Sequence, residues 1–342
     1  MKKYFHILLL IVVLFISFIV STSLGSVNVP LKDTFRILTS FFFDTSGITT
    51  VSRDIIVKIR IPRVFLGMFV GAALSVSGLV FQALLKNPLA DPYTLGISAG
   101  ASFGAALAIF LSYVIDAYFK TLLPVFAFGG AVSTMFFVYF LARTKGRVQM
   151  LTIILSGVIV SYLFSSGLVL IMSLAGDRSH EIIYWLMGSL AGFHRYMIPA
   201  AATILVLSGF TFLFNKDLDL IALGDERAIS LGVNTDSIRL ILFSTTSLIT
   251  ATAVSLTGTI GFVGLIIPHS MRLVFGPKHR VLIPVSIISG AAFLPLSDMI
   301  GRVLPGILFG SGLEIPVGVI TSLFGSPFFI FLLLKGKKKL WF

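Results

Sequence analysis

Residues 86–95, KNPLADPYTL, place two prolines, an asparagine and an aspartate inside a long apolar run without ending it. The stretch before them, Val64 to Leu85, carries no charge, and at about 1.5 Å rise per residue it is long enough to cross a bilayer. The stretch after them is Gly-rich and apolar. Polar, helix-breaking backbone between two spans is tolerated only at a membrane surface or where it lines a cavity inside the protein. The segment therefore points to a chain that builds a route for a solute.

Composition sets the class. Hydrophobic residues make up 56% of the 342 residues, charged residues 12%, and the mean hydropathy is +1.03. Soluble domains carry roughly 25% charged residues, so the chain reads as one all-α integral membrane domain over 1–342. The run from His6 to Leu24 is longer than the apolar core of a signal peptide, and Ser21 to Gly25 is a poor cleavage site, so it reads as a retained first helix. Cysteine is absent, which excludes disulfides and Cys-ligated metal.

Spans at about 6–24, 62–85, 94–115, 121–141, 149–173, 196–214, 238–257, 259–275, 281–303 and 315–334 give about ten helices, with both termini on one side. That side carries most of the 26 basic residues, among them Lys86, Arg143, Lys145, Arg147, Arg227, Arg239 and the cluster Lys335 to Lys339. By the positive-inside rule it is cytoplasmic. The formal net charge of +12 is thus a topology signal, and no basic stretch interleaved with aromatics suggests nucleic acid.

Two features depart from this pattern. Lys58, Arg60 and Arg63 crowd the outer mouth of the second span, and Arg302 lies at the outer end of the ninth. Arg302 can pair with Asp298 at i, i+4, or the arginines can form an outward basic patch for an acidic partner or an anionic solute. At the other face, 215–239 (NKDLDLIALGDERAISLGVNTDSIR) is the most charged part of the chain. Asp225 and Glu226 suit a helix start, Ala228 and Leu231 can form an apolar side, and Gly232 suits the C-terminal cap. A short amphipathic helix on the cytoplasmic surface is what a membrane subunit needs if a soluble motor is to push on it.

Other motifs carry less. Gly96-Ile-Ser-Ala-Gly100 matches a hydrolase pattern that requires a strand-to-helix elbow, but here it opens a membrane helix, and Gly96, Gly100 and Gly104 suit close helix approach. His269 and His279 lack ligand spacing for a metal, so no metal or cofactor is expected. No G-x-x-x-x-G-K-[ST] loop occurs, so ATP hydrolysis would have to come from another polypeptide.

Taken together, Arg60-Ile-Pro-Arg63, Gly71 to Gly78, Gln82, Asn87-Pro-Leu-Ala-Asp-Pro92 and Leu95-Gly96 resemble the FecCD-type permease family of ABC importers for iron-siderophore complexes, haem and cobalamin. Later blocks agree in order: Trp185 to Leu190, Leu223 to Glu226 with Ala228 and Leu231-Gly232, Gly261 to Leu265 with Pro268-His269 and Arg272, Asp298 with Arg302, Pro316 to Val319, and Gly325 to Pro327. Thr259 stands where the family often has proline.

The resemblance implies a cobalamin-importer-like (type II) permease of ten helices. Its implied partners are a second permease subunit, identical or paired, a cytoplasmic ABC ATPase dimer and an extracytoplasmic substrate-binding protein, all at a prokaryotic plasma membrane. It implies binding-protein docking through Arg60, Arg63 and Arg302. ATPase coupling falls on Leu223, Gly224, Asp225, Glu226, Ala228, Leu231 and Gly232, within the cytoplasmic segment 215–239. A cytoplasmic gate falls on Asn87, Leu89, Met150 and Leu151, and Ser156, Ser161 and Ser165 line the path. The implied cargo is a metal chelate, ferric siderophore first, then haem or cobalamin. Two rival classes are an ion-coupled secondary transporter, which usually carries ionisable groups near the midplane, and an intramembrane enzyme, which needs a nucleophile and base at depth. The acidic residues instead gather at helix ends and loops, and no such pair is visible.

Overall fold

The structure, a computed structural model, describes residues 2–27, 29–39, 49–144, 147–148, 150–191, 196–310 and 312–336. In chain order the helices are α1 (Lys2–Ser23), α2 (Leu31–Leu38), α3 (Thr50–Asp54), α4 (Ile61–Leu84), α5 (Ile97–Val114), α6 (Tyr118–Thr121), α7 (Leu123–Ala142) and α8 (Met150–Ala175). They continue with α9 (Ser179–Leu186), α10 (Met197–Leu213), α11 (Asn215–Ala222), α12 (Asp225–Ser230), α13 (Thr235–Thr257), α14 (Val263–Phe275), α15 (His279–Phe309) and α16 (Val317–Gly336). One two-residue antiparallel bridge, β1 (Arg143–Thr144) with β2 (Arg147–Val148), joins α7 to α8.

Among the described residues, seven helices are long and apolar enough to cross a membrane, or eight if α10 and α11, bent by 58°, count as one span. Every expected span contains a helix, and one of them, α14, is shorter than a full crossing. The 13 residues of α14 rise only about 20 Å. The physical reason lies in 258–262, where Gly258 (φ 72°) and Phe262 (φ 67°) hold left-handed backbone. The expected 259–275 helix therefore cannot begin before Val263.

The centre of the bundle is α4. It runs on without a break from α3 through a π-helical turn, Ile55–Arg60, and it is buried almost all round, as expected of a helix that is apolar on every side. Leu66, Val70 and Leu74 pack with Ile249 and Ala253 of α13, Val263 of α14 and Leu294 of α15. Small residues set how closely these helices approach. A Cβ on Gly71 would lie 2.1 Å from the carbonyl oxygen of Gly290, and one on Gly78 would lie 2.0 Å from that of Gly264. Backbone therefore meets backbone at both crossings, the arrangement small residues permit inside a membrane. The packing reading of the Gly96 to Gly104 stripe has the same basis, since Gly100 lies against Gly130 of α7.

Connectivity puts the start of α1, the 86–95 loop and the α11–α12 segment at one end of the bundle, here the basic end. The end of α1, the start of α4 and the 115–122 connection lie at the opposite end. The rings of His6 and Phe275, 6.0 Å apart, hold α1 against the last turn of α14 at the basic end.

Candidate functional site

Three irregular segments meet inside the bundle. The Ser189 amide donates to the Thr257 carbonyl (2.7 Å), the Thr259 hydroxyl to the Leu186 carbonyl (2.5 Å), and the Gly318 amide to the Gly188 carbonyl (3.5 Å). The amide of Ile260 donates to the Tyr93 hydroxyl at 3.2 Å. Thr257 to Phe262 lies within the height of α4, because the next helix begins against Gly78, six residues short of the α4 end. Non-helical backbone at that depth requires partners from the protein or from a water-filled space, and here the protein supplies the hydrogen bonds just named. It walls a cavity of about 730 Å³, with Met187 and α16 forming other sides. The hydroxyls of Ser98, Thr259, Ser322 and Ser326 line it, and its described lining contains no carboxylate, amine or imidazole.

At the basic end, the 215–239 segment holds α11, the expected short helix as α12, and the first turn of α13. α11 and α12 are separated at Leu223–Gly224, where Gly224 has φ 122°. Ile221, Ala228 and Val233 form the buried side. Leu223, Ile229 and Leu231 are 59%, 60% and 64% exposed, so Ala228 and Leu231, expected on one apolar side, lie on opposite sides. The six-residue helix buries Ala228 against its own chain and turns Ile229 outward. Ile229 was not singled out from the sequence, although it adjoins Ala228 and differs from it in facing.

Asp219 of α11 accepts from both the backbone amide (2.9 Å) and the ring Nδ1 (2.6 Å) of His279, fastening α11 to the start of α15. Burial would raise the Asp219 carboxyl, but the hydrogen bonds from His279 hold it below the usual aspartate value. Burial likewise acts to raise Asp225, and hydrogen bonds from Lys86 and Arg239 keep it below the ordinary 3.8. A carboxyl depressed in the folded state keeps its stabilising charge above the unfolded value and loses it only as pH falls through the lower, folded one. Both carboxylates are therefore ionised at neutral pH.

The 86–95 loop is ordered by its own side chains. Asn87 Oδ1 accepts from the Leu89 amide (3.0 Å), and Asp91 Oδ1 accepts from the Tyr93 amide (2.9 Å). Burial pushes the Asp91 carboxyl up to about 6, against a smaller lowering by the Tyr93 amide. Of the expected gate residues, Leu89 and Leu151 are exposed, Asn87 is spent on its own turn, and the Met150 side chain lies outside the described residues.

The three arginines are not solvated rim charges. Arg60, Arg63 and Arg302 are 4%, 7% and 3% exposed. The expectation of an outward basic patch is corrected in that respect: the guanidinia point into the bundle. Arg63 Nε and Nη2 grip Asp298 at 2.9 and 2.8 Å, and its Nη1 reaches Glu314 at 2.7 Å. Arg302 Nε donates to Asp298 at 3.0 Å, the i, i+4 pair the sequence allowed. Its other nitrogens donate to the carbonyls of Ser21 and Leu24, both at 2.8 Å. Arg60 donates to the carbonyls of Thr22, Ser23 and Val27. Cations thus satisfy the carbonyls left open at the C-terminus of α1, where the helix dipole also favours them. Three cations face two carboxylates, which leaves positive charge at that end.

The three serines expected to line the path differ in placement. Ser156 is buried within the chain, and the Ser161 hydroxyl is spent on the Gly157 carbonyl at 2.7 Å. The open face of α8 is instead carried by Leu151, Leu155, Ile159, Tyr162, Ser166 and Leu170, while Ser165 is half-buried beside it. A hydroxyl at the right helical spacing says nothing of which face its neighbours cover.

A family model described as the FecCD transport family matches residues 11–335. The cobalamin import system permease protein BtuC of Halobacterium salinarum is 40% identical over 288 residues, 84% of this chain and 75% of that one. The Fe(3+) dicitrate transport system permease protein FecD of Escherichia coli is 36% identical over 285 residues, 82% of this chain and 85% of that one. A solved chain described as a metal-chelate type ABC transporter in an inward-facing conformation superposes with a TM-score of 0.78 at 30% identity, covering 95% of this chain and 97% of its own.

Proposed function

Because the chain belongs to the FecCD transport family, we propose that it is the transmembrane permease subunit of a binding-protein-dependent ABC importer and forms the path for a metal chelate. Ferric siderophore is the first cargo to assay, with haem and cobalamin next. The observation that carries this reading is the cavity of about 730 Å³ walled by non-helical backbone at membrane depth. Its hydroxyl-bearing wall does not suit lipid tails, so a second permease copy or a paired subunit completes it. The uncharged lining counts against the rival reading, an ion-coupled transporter, which needs titratable or ion-coordinating groups near the midplane.

The energy comes from a separate ATPase dimer on the cytoplasmic side, which we assign to the basic end with both termini. The contact is the apolar trio Leu223, Ile229 and Leu231, with Glu226 beside it. Exposed leucines and isoleucines in a soluble-facing helix form the kind of patch a partner covers. At the opposite end, the surplus positive charge around Arg60, Arg63 and Arg302 draws an acidic binding protein through its field, while the guanidinia themselves stay buried.

The test is reconstitution in proteoliposomes with the P-loop ATPase and the binding protein encoded beside the gene. ATP-dependent uptake of one chelate from a panel of ferric siderophores, haem, cobalamin and molybdate is expected. Uptake by the chain alone on a proton or sodium gradient would sink the proposal. The purified chain by itself should hydrolyse no ATP above background, since it has no phosphate-cradling loop. Ile229→Asp with Leu231→Asp should abolish ATPase co-purification at normal membrane insertion; full retention of the ATPase would refute the contact.

A further inference from the structure

We propose that Asp225 is a positioning residue that ties the ATPase-contacting helix to the loop 86–95, so that movement of α12 is delivered to that loop through Lys86. The inference rests on the coupling reading above and adds the link by which it would work. Asp225 Oδ1 accepts from Lys86 Nζ at 2.7 Å and from Arg239 Nη2 at 2.5 Å. One carboxylate oxygen therefore joins three places in the sequence: the first residue of α12, the start of the loop and the first turns of α13.

A second observation, independent of the ion pairs, singles out Lys86. Its φ of 49° is left-handed, one of two such non-glycine residues among those described. The Asn87 amide bonds the Gln82 carbonyl at 3.1 Å and the Lys86 amide bonds the Ala83 carbonyl at 3.3 Å. This is the Schellman ending of a helix, and its left-handed position ordinarily belongs to glycine. An L-residue there is disfavoured, yet a lysine occupies it, and its ammonium reaches Asp225.

The contacts on either side make the tie directional. Asp219 and His279 fasten α11 to the bundle, and the break at Leu223–Gly224 separates α12 from that fastened helix. Beyond Lys86, the loop reaches Tyr93, which lines the cavity and whose hydroxyl receives the amide of Ile260, between the lining residues Thr259 and Gly261. The same strand of contacts thus runs from the exposed surface of α12 to the cavity.

The test uses the full chain co-purified with its neighbouring ATPase in nanodiscs, with an environment-sensitive fluorophore on Leu89→Cys. The chain has no native cysteine, so the label is unique. The probe is MgATP, and no transported ligand is needed. On the parent background the fluorophore should respond to MgATP. Lys86→Gly and Asp225→Asn should each cut that response by about fivefold or more, the low end of coupling between linked sites.

In Lys86→Gly, ATPase retention should be unchanged, since the whole 223–232 segment remains. Lys86→Gly should also melt no lower than the parent, because glycine suits the left-handed position, which separates coupling from folding. Lys86→Arg should restore the response. A full-amplitude response in both Lys86→Gly and Asp225→Asn with the ATPase bound overturns the tie alone. Absence of ATPase from the parent preparation overturns the coupling reading and the tie with it.

Discussion

Asp298→Ala is expected to cost about 3–5 kcal/mol of folded-state stability, the usual penalty for breaking a buried ion pair from one side. Asp298 is buried and accepts from two arginines at once, Arg63 and Arg302. Alanine removes the only carboxylate within hydrogen-bond reach of Arg302 among the described residues, and it leaves Arg63 with Glu314 alone. Two guanidinia would then sit in the bundle with less compensation than burial demands. Glu314→Gln should cost no more than about 1 kcal/mol, because Glu314 is partly solvated and such pairs contribute little. Thermal unfolding in detergent, read by size-exclusion monodispersity after heating, orders the two variants. If Asp298→Ala melts with the parent, the cluster is not holding α1, α4 and α15 together. The geometry also changes what an arginine reversal would report. Arg60→Glu with Arg63→Glu would set a carboxylate against Asp298, so loss of binding-protein docking in that variant would reflect misfolding before it reflected a lost contact.

Gly78→Val is expected to be nearly as severe, at about 3 kcal/mol, the upper end of overpacking penalties. A Cβ at that position would lie 2.0 Å from the Gly264 carbonyl oxygen and 2.5 Å from its Cα. Both partners are backbone, so no side chain can rotate away and α14 must be displaced. That carbonyl also accepts from Gln82 Nε2 at 3.1 Å, a bond the displacement would break. Because Val263 starts α14 directly after the 258–262 wall, transport should fail even in the fraction that folds. The control is Gly209→Ala in α10, where nothing lies within 4 Å of the new Cβ; it should keep or slightly raise the melting temperature. Equal melting of Gly78→Val and the parent would mean that α4 and α14 do not cross backbone to backbone.

Much of the fold was legible because its signals are local. Uncharged runs of about 20 residues can satisfy their backbone in lipid only as helices, so the long spans followed directly from composition. The punctuation of 86–95 and the cap residues of 215–239 were equally local, and turns form where they were expected. What escaped was the interruption at 258–262. Gly258-Thr-Ile-Gly261 reads as the start of a span, yet left-handed backbone at Gly258 and Phe262 delays the helix until Val263.

Sequence alone determined that this is a polytopic helical protein with a basic side, that its acidic residues avoid the middle of the spans, and that its motifs follow the FecCD order. Those properties depend on residue type and spacing along the chain. Tertiary structure alone decided which face each residue shows. Arg63 and Arg60 looked like exposed charges until Asp298, 235 residues from Arg63, took the first and the carbonyls at the end of α1 took the second. Ala228 and Leu231 looked like one apolar side until Ile221 and Val233 buried the first and left the second outside. Lys86 looked like a topology charge until Asp225, 139 residues away, took its ammonium. For Arg63 and Lys86 the deciding partner is far off in sequence; for Ala228 it is near, and what decided was which way the short helix turned.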